Sequence, residues 1–575
     1  LAALAATAAT PSAELARHAL GAEEWQRAKE YSQQSAEAAN QIGAHEDALR
    51  FYLQILQIFT TAPSQQIPQP LFTEKDVTRL YRSIALLYHN LGKEEQAQQT
   101  YQALLVEAQA RGARLMESQA YVLIGNLAIE NNFDLPHAQK MLETARQIAE
   151  EIGDLATQIE VYNSLTDVAI AQEHLPQAHT LILHAVQLAR THQQRLKVAQ
   201  TLFTLSDVAL YSGQWEEASA ASEESIVLFA STDAEWATVP YSWEPSLQWP
   251  QFFARIAALT QSAPTRGNNL ARQWGSNGLA EMGAIRLHLG DGAIGRAALQ
   301  LAWQIFAERN EQRFFRIHLL RKTLGSLEAG AYEAALHEVQ RVFHITANAT
   351  DRLSDPTLPS PFCAMVDAHH ALWQFADAQA HLAQLTSHAA NKPIWQRLLP
   401  ATRWCTHHAL LGDWVAAYAA TQQSQALRAS ASTQLTWFDF ARYYETEALV
   451  RAGDHARAEA DAHHFGASIG TNRRYRLVHL RMLAVLARAA GDHTAALGHH
   501  TAALALATAL ELPGEAWQIA NEQSASHANL GDAPSAQAAR AAATAGIAHL
   551  AAQISDPTLR ERFTQAALAK RPALG

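Results

Sequence analysis

Five stretches of this 575-residue sequence carry residue types at spacings that could do chemistry. Gly290-Asp291-Gly292-Ala293-Ile294-Gly295 spells G-x-G-x-x-G, which cradles pyrophosphate only where a strand delivers the loop to a helix N-terminus. Here Ala284 to Leu289 reads as the end of a helix, so a turn is expected. Gly466-Ala467-Ser468-Ile469-Gly470 spells the nucleophile elbow G-x-S-x-G, with His463 and His464 near in sequence. That geometry needs the strand-to-helix turn of an α/β sheet, and no such sheet is readable around it. The 27 histidines include the pairs His369-His370, His407-His408, His463-His464 and His499-His500. Neighbours on a helix point about 100° apart and cannot grip one ion together, whereas i,i+4 placement could. Arg473-Arg474-Tyr475-Arg476, with Arg481, mixes cations and an aromatic as nucleic-acid sites do. On an acidic chain it reads as a solvated face or as ion pairing between repeats. Glu216-Glu217 and Glu223-Glu224 are adjacent pairs whose carboxylates point to different faces. No catalytic, cofactor-binding or metal-ligating residue is assigned, and without G-x-x-x-x-G-K-[ST] the chain is not expected to bind ATP through a phosphate loop.

Aromatic residues supply the remaining candidate. Between Ser231 and Phe253 stand Trp236, Pro240, Tyr241, Trp243, Pro245, Trp249, Pro250, Phe252 and Phe253. Prolines stop a helix, and rings left in water are unfavourable. The segment is expected to be an insertion folded back over a groove or edge of the molecule. The functional alternative is a partner-binding patch built from Trp236, Tyr241, Trp243 and Trp249. A second departure, Thr346 to Pro361, reads as a polar surface connection.

The elements that must position these residues follow a period. A helical stretch ends in Leu-Gly or Ala-Gly, then Asp or Lys, then Ala four or five residues after the Gly. The signature recurs at Gly92, Gly290, Gly412, Gly453, Gly491 and Gly531; the last four step by 41, 38 and 40 residues, and Gly290 and Gly330 are 40 apart, within the range of helical repeats. Where the Gly is lost the step still holds, landing at Asn132-Phe133 and at Glu173-His174. In 155–190, Ile159, Tyr162, Leu165, Val168 and Ala169 form one apolar face of a first helix. Pro176 starts a second, whose apolar side is expected from Ala178, Leu181, Leu183, Ala185, Val186 and Leu188. The Gly supplies the backbone that ends the first helix, and the small Ala lets the two approach. One pair cannot bury its apolar face, but a stack can. The expected fold is therefore all-α, an α-solenoid of about thirteen antiparallel helix pairs of tetratricopeptide (TPR) type with a period of about 40 residues. Its expected divisions are repeats over 1–230, the Trp/Pro-rich insertion over 231–268, repeats over 269–554, and a capping helix and tail over 555–575.

Composition agrees and excludes other classes. Gly and Pro are few at 26 and 19, charged residues are only 17%, and apolar residues reach 48%, against disorder and against a strand-rich fold. The formal charge of −11 argues against a direct nucleic-acid surface. The two cysteines, Cys363 and Cys405, cannot form a disulfide framework, which suits a reducing cytoplasm. Mean hydropathy is −0.16 and no run resembles a membrane span, so no membrane contact is expected. A start at Leu1, without a Met or a basic n-region, reads as a piece of a longer polypeptide rather than a signal peptide.

The opening carries a resemblance. Ala13-Glu14-Leu15-Ala16-Arg17-His18-Ala19-Leu20, then Glu24-Trp25-Gln26-Arg27-Ala28, Tyr31-Ser32 and Glu46-Asp47-Ala48-Leu49, is similar to a stretch of large bacterial signalling ATPases. In those proteins it follows the ATPase and winged-helix modules and begins a tetratricopeptide tail. Ile554-Ser555-Asp556-Pro557-Thr558-Leu559-Arg560-Glu561-Arg562-Phe563 is similar to how such tails finish. The resemblance implies a non-catalytic regulatory arm that binds a protein, a peptide or a small-molecule inducer, beside an upstream ATPase module in the same polypeptide. The alternatives are a freestanding scaffold for a peptide or protein, and an all-helical enzyme with its site in the concave groove.

Overall fold

The repeat unit can be followed through 154–191 in the computed structural model. Asp154 accepts a hydrogen bond from the Thr157 N–H at 2.9 Å, capping the helix Leu155–Ala171. Its buried face carries Ile159, Leu165, Val168 and Ala169, as the apolar spacing predicts. After a short turn Leu175–Thr191 begins with Pro176 in its first turn, where the missing N–H is no loss. Its buried stripe is Ala178, Ile182, Ala185 and Ala189, each fully buried. Leu183, expected inside, is 41% exposed. It lies about 100° round the helix from Ile182, off the stripe that steps by four, three and four.

The structure describes residues 12–41, 44–61, 71–132, 134–230, 249, 253–254, 266–307, 312–346, 361–392, 394–431 and 440–570. Among these there are 26 helices and no strand, the number that thirteen pairs require. The chain is all-α, and its helices pack as successive antiparallel pairs of tetratricopeptide type. Most of 231–268, and 347–360, lie outside the described residues. At the C-terminal end Asp556 accepts from the Leu559 N–H at 2.7 Å and caps Pro557–Ala569, whose Phe563 is 1% exposed.

The chain divides into two compact units. One comprises Leu1–Gln172, Thr180–Gln193 and Ala307–Arg313; the other Glu173–His179, Gln194–Phe306 and Phe314–Gly575. In the first, apolar clusters join consecutive helices, such as Tyr81, Tyr101, Leu104 and Met116. The second adds contacts between helices far apart in sequence. Trp215 packs on Tyr475 with ring centroids 5.5 Å apart. The turn at Gly290 sits against Leu510, and the turn at Gly330 against Leu550, the same sequence offset in both cases. Tyr332, Trp517, Leu550 and Phe563 share one apolar cluster. Two rows of repeats thus lie side by side in register within this unit, beyond the neighbour-only contacts of an open repeat array.

Candidate functional site

The first unit holds a groove between the first helices of three successive pairs. These are Glu74–Asn90, Arg114–Asn132 and Leu155–Ala171. The groove has a cavity of about 220 Å³ lined by Lys75, Thr78, Arg79, Arg82, Gln119, Val122, Leu123, Thr157 and Glu160. The first helix is anchored by a capping box: Thr73 Oγ1 accepts from the Asp76 N–H, and Asp76 accepts from the Thr73 N–H, each at 3.2 Å. Burial raises the Asp76 carboxyl, but the Thr73 N–H and the Lys29 ammonium outweigh it, so its pKa lies below the ordinary value. Val77, Leu80, Tyr81 and Ile84 face the core. Lys75, Arg79 and Arg82, at i, i+4 and i+7, therefore share the opposite face and are exposed.

No carboxylate among the described residues lies within ion-pairing distance of Lys75, Arg79 or Arg82, although almost every other exposed arginine nearby has one. Arg50 pairs with Asp47 at 2.7 Å, and Arg114 pairs with Glu117 at 2.8 Å and Glu151 at 2.6 Å. Thr78 Oγ1 is buried without a hydrogen-bond partner on the same lining. Val122 and Leu123 give the groove an apolar floor, at 2% and 8% exposed. Arg79, Gln119 and Glu160 stand one repeat step apart in turn, so the lining grades from cation to neutral amide to carboxylate. At about 220 Å³ the cavity is below the range of about 300–1,000 Å³ that holds a whole small molecule, and suits a side chain of a longer ligand.

The other sequence candidates resolve as follows. Trp249 is 5% exposed, stacked on Phe253 at 5.4 Å and covered by the Arg286 guanidinium at 5.7 Å. Trp236, Tyr241 and Trp243 lie outside the described residues. Gly290 is a turn between two helices at φ +91°, with no strand before it. Ser468 ends the helix His455–Ser468, and its hydroxyl donates to the Phe465 carbonyl at 2.8 Å, so no nucleophile elbow forms.

The histidine pairs split between surface and core. His370 Nε2 and His407 Nδ1 meet at 3.1 Å, and burial holds the pKa of both rings below the ordinary value, His370 well below it. His369 stacks on His381 at 5.3 Å. Among the described residues, no group of three or more His, Cys, Asp or Glu is placed to hold a metal ion.

The basic run separates by helical face. Arg473 and Arg476 are exposed, whereas Arg474 and Arg481, at i and i+7, are 3% and 2% exposed. Arg474 pairs with Glu328 at 3.3 Å and Glu515 at 2.9 Å, and its guanidinium lies 4.4 Å from the Phe440 ring. Arg481 bridges Glu515 and Glu522 and lies 3.5 Å from the Tyr443 ring. Burial pushes the Glu328 carboxyl up, with Arg474 pulling against it. Burial also opposes ionisation of Glu522, but Arg481 and His500 outweigh it, and its pKa lies below the ordinary value. This network cross-links helices that are distant in the chain, which makes it a structural tie rather than an open site.

Sequence reasoning did not single out Lys75, Arg79 and Arg82. Their signal was present as three cations on one face of a first helix, but cations on solvated helix faces are common. The structure adds that all three line one groove and that no carboxylate among the described residues pairs with them.

No protein-family model matches the chain, and no curated protein matches it. Several solved structures are similar to it at low identity. The Cut9–Hcn1 hetero-tetramer of the APC/C has a TM-score of 0.46 and 12% identity, over 94% of this chain and 93% of that one. A Rap protein complexed with competence and sporulation factor has a TM-score of 0.40 and 10% identity, over 62% and 100%. A signal-transduction ATPase of the STAND class with a tetratricopeptide repeat sensor, from Pyrococcus horikoshii, has a TM-score of 0.32 and 13% identity, over 67% and 53%.

Proposed function

We propose that the chain is a non-catalytic interaction and regulatory repeat protein that holds a peptide or a segment of a partner protein. We also propose that it is the sensor or effector arm of a larger ATP-dependent signalling or transcription-regulating polypeptide. One observation carries the first part: the groove of the first unit pairs an apolar floor with exposed cations and a buried hydroxyl that have no ion-pair or hydrogen-bond partner among the described residues. The side chains lining it include no nucleophile–base pair, and its volume suits a side chain of a longer ligand. The similarity of 13–49 and 554–563 to the tails of signalling ATPases supports the second part.

The test is an array of short peptides of varied charge and hydropathy, read by fluorescence polarisation against the full chain. Micromolar binding by a subset, with each bound peptide recovered chemically unchanged, is the expected result. An array in which no peptide binds would remove the peptide-holding reading. For the second part, the intact mass and N-terminus of the natively expressed polypeptide decide. A chain well above 63.0 kDa that continues upstream of Leu1 into a phosphate-loop module is expected. A mature chain starting near Leu1 would leave a self-contained scaffold.

A further inference from the structure

We infer that the groove of the first unit selects an anionic segment, an extended peptide with acidic side chains directed at Lys75, Arg79 and Arg82. The inference rests on the peptide-holding function proposed above and adds its chemistry. Three like charges on one helix face repel one another, and like-charged i,i+4 pairs destabilise a helix. Elsewhere in this unit exposed arginines are compensated by carboxylates three or four residues away, such as Arg50 with Asp47 at 2.7 Å and Arg111 with Glu107 at 2.5 Å. Among the described residues that compensation is missing at all three positions, in a protein whose formal charge is −11.

The geometry narrows the ligand. From Lys75 to Arg82 the helix rises about 10 Å, seven residues at about 1.5 Å each. An extended chain in polyproline II conformation advances about 9 Å in three residues and returns to the same face. Acidic residues three apart therefore match the cation row. Thr78 Oγ1, buried on the same lining, offers a hydroxyl to the ligand. Val122 and Leu123 accept an apolar side chain between the acids. Glu160, on the third helix, places a carboxylate at the far end of the groove and sets the acidic part of the ligand toward Glu74–Asn90. The anionic groups are the carboxylates of Asp or Glu side chains on the ligand.

The test uses the full chain and fluorescein-labelled Ser-Glu-Leu-Ser-Glu-Leu-Ser-Glu. Counterparts carry Lys or Gln in place of Glu, and a fourth carries phosphoserine at the same places. The acidic peptides are expected to bind at least about tenfold more tightly than the Gln and Lys peptides, with affinity falling as NaCl rises from about 50 to 300 mM. Arg79→Glu with Arg82→Glu is expected to lower that affinity at least about tenfold and to favour the Lys peptide. Lys93→Glu with Lys140→Glu changes the net charge equally away from the groove and is expected to leave binding within about twofold. All four positions are exposed, so the variants keep their helicity. A phosphoserine peptide that binds equally or more weakly supports carboxylate as the anion, and one that binds at least about tenfold more tightly overturns it. If peptides bind but the groove and control variants behave alike, the anionic selectivity is overturned while peptide holding stands. If no peptide of any charge binds, the underlying function fails first.

Discussion

Arg481 is the most constrained charge among the described residues: its side chain is 2% exposed, its two arms reach Glu515 and Glu522, and its face covers Tyr443. A buried ion pair contributes little net stability against an apolar replacement of both partners. Removing one partner is different, because the other charge is then stranded in low dielectric. Arg481→Met keeps much of the side-chain volume while leaving Glu515 with Arg474 only and Glu522 without its fork. It is expected to destabilise the second unit by about 3–5 kcal/mol. Arg481→Lys, which keeps the charge but not the planar fork, is expected to lose less. The midpoint of denaturant unfolding, followed by helical circular dichroism, checks both. Equal midpoints for Arg481→Met and the parent chain would contradict a coupled network. The groove cations differ: they are exposed, and among the described residues no carboxylate pairs with them, so they contribute no ion pair to stability.

At the scale of the element, the repeat turn is a small device with two separable requirements. The first is backbone conformation. Gly491 has φ +77° and open space where a Cβ would stand, so Gly491→Ala meets only the left-handed backbone penalty of about 1–2 kcal/mol. The second is clearance. Gly330 has nearly the same φ, +79°, but a Cβ there would collide with Leu550 Cδ2 and lie 3.0 Å from Pro513. Gly330→Ala therefore carries the same backbone term plus overpacking of about 1–3 kcal/mol. Thermal unfolding of the two variants should rank Gly330→Ala clearly below Gly491→Ala, and equal melting temperatures would show that the turn at Gly330 does not touch Leu550. At Glu173 and Trp373 the left-handed conformation persists with a non-glycine residue, at φ +63° and +59°. The period therefore survives in the structure where the Gly signature is lost from the sequence.

At the scale of the whole molecule, the registered pairing of distant turns changes how the second unit should respond to damage. In an open array each repeat answers only to its neighbours, so a lesion near the end frays the end. Here Phe563 lies in one apolar cluster with Tyr332, at 6.0 Å between rings, and with Leu336 and Trp517. Truncating such a ring opens a cavity worth about 3–5 kcal/mol. Phe563→Ala is expected to raise amide hydrogen exchange in Tyr332–Thr346 as well as in Pro557–Ala569, two helices far apart in the chain. Faster exchange confined to 533–569 would return the unit to a neighbour-only stack.

Helical type, period, turn positions and caps were legible in the residues because each rests on local physics. Apolar spacing by three and four, a Gly for a left-handed backbone, an Asp before Pro at a helix start and an Ala where two helices cross act within one repeat step. Asp556-Pro557, Pro176 and the recurring Gly turn were read on that basis, and the structure shows helices beginning and ending there. The fate of the conspicuous residues was not legible. Arg473 and Arg474 are neighbours of one type, yet one is exposed and the other buried among Glu328 and Glu515, because a partner helix from much earlier in the chain lies over one face only. The same holds for Leu183, which reads as core and lies at the surface, and for Lys75, Arg79 and Arg82, whose want of partners depends on what the two following repeats present. The residues by themselves determined the repeat, since apolar spacing, caps and turn conformation act within one helix pair. Which distant turns meet, and where charge is left uncompensated, was decided only by the tertiary structure, because burial and ion pairing depend on neighbours that local sequence does not specify.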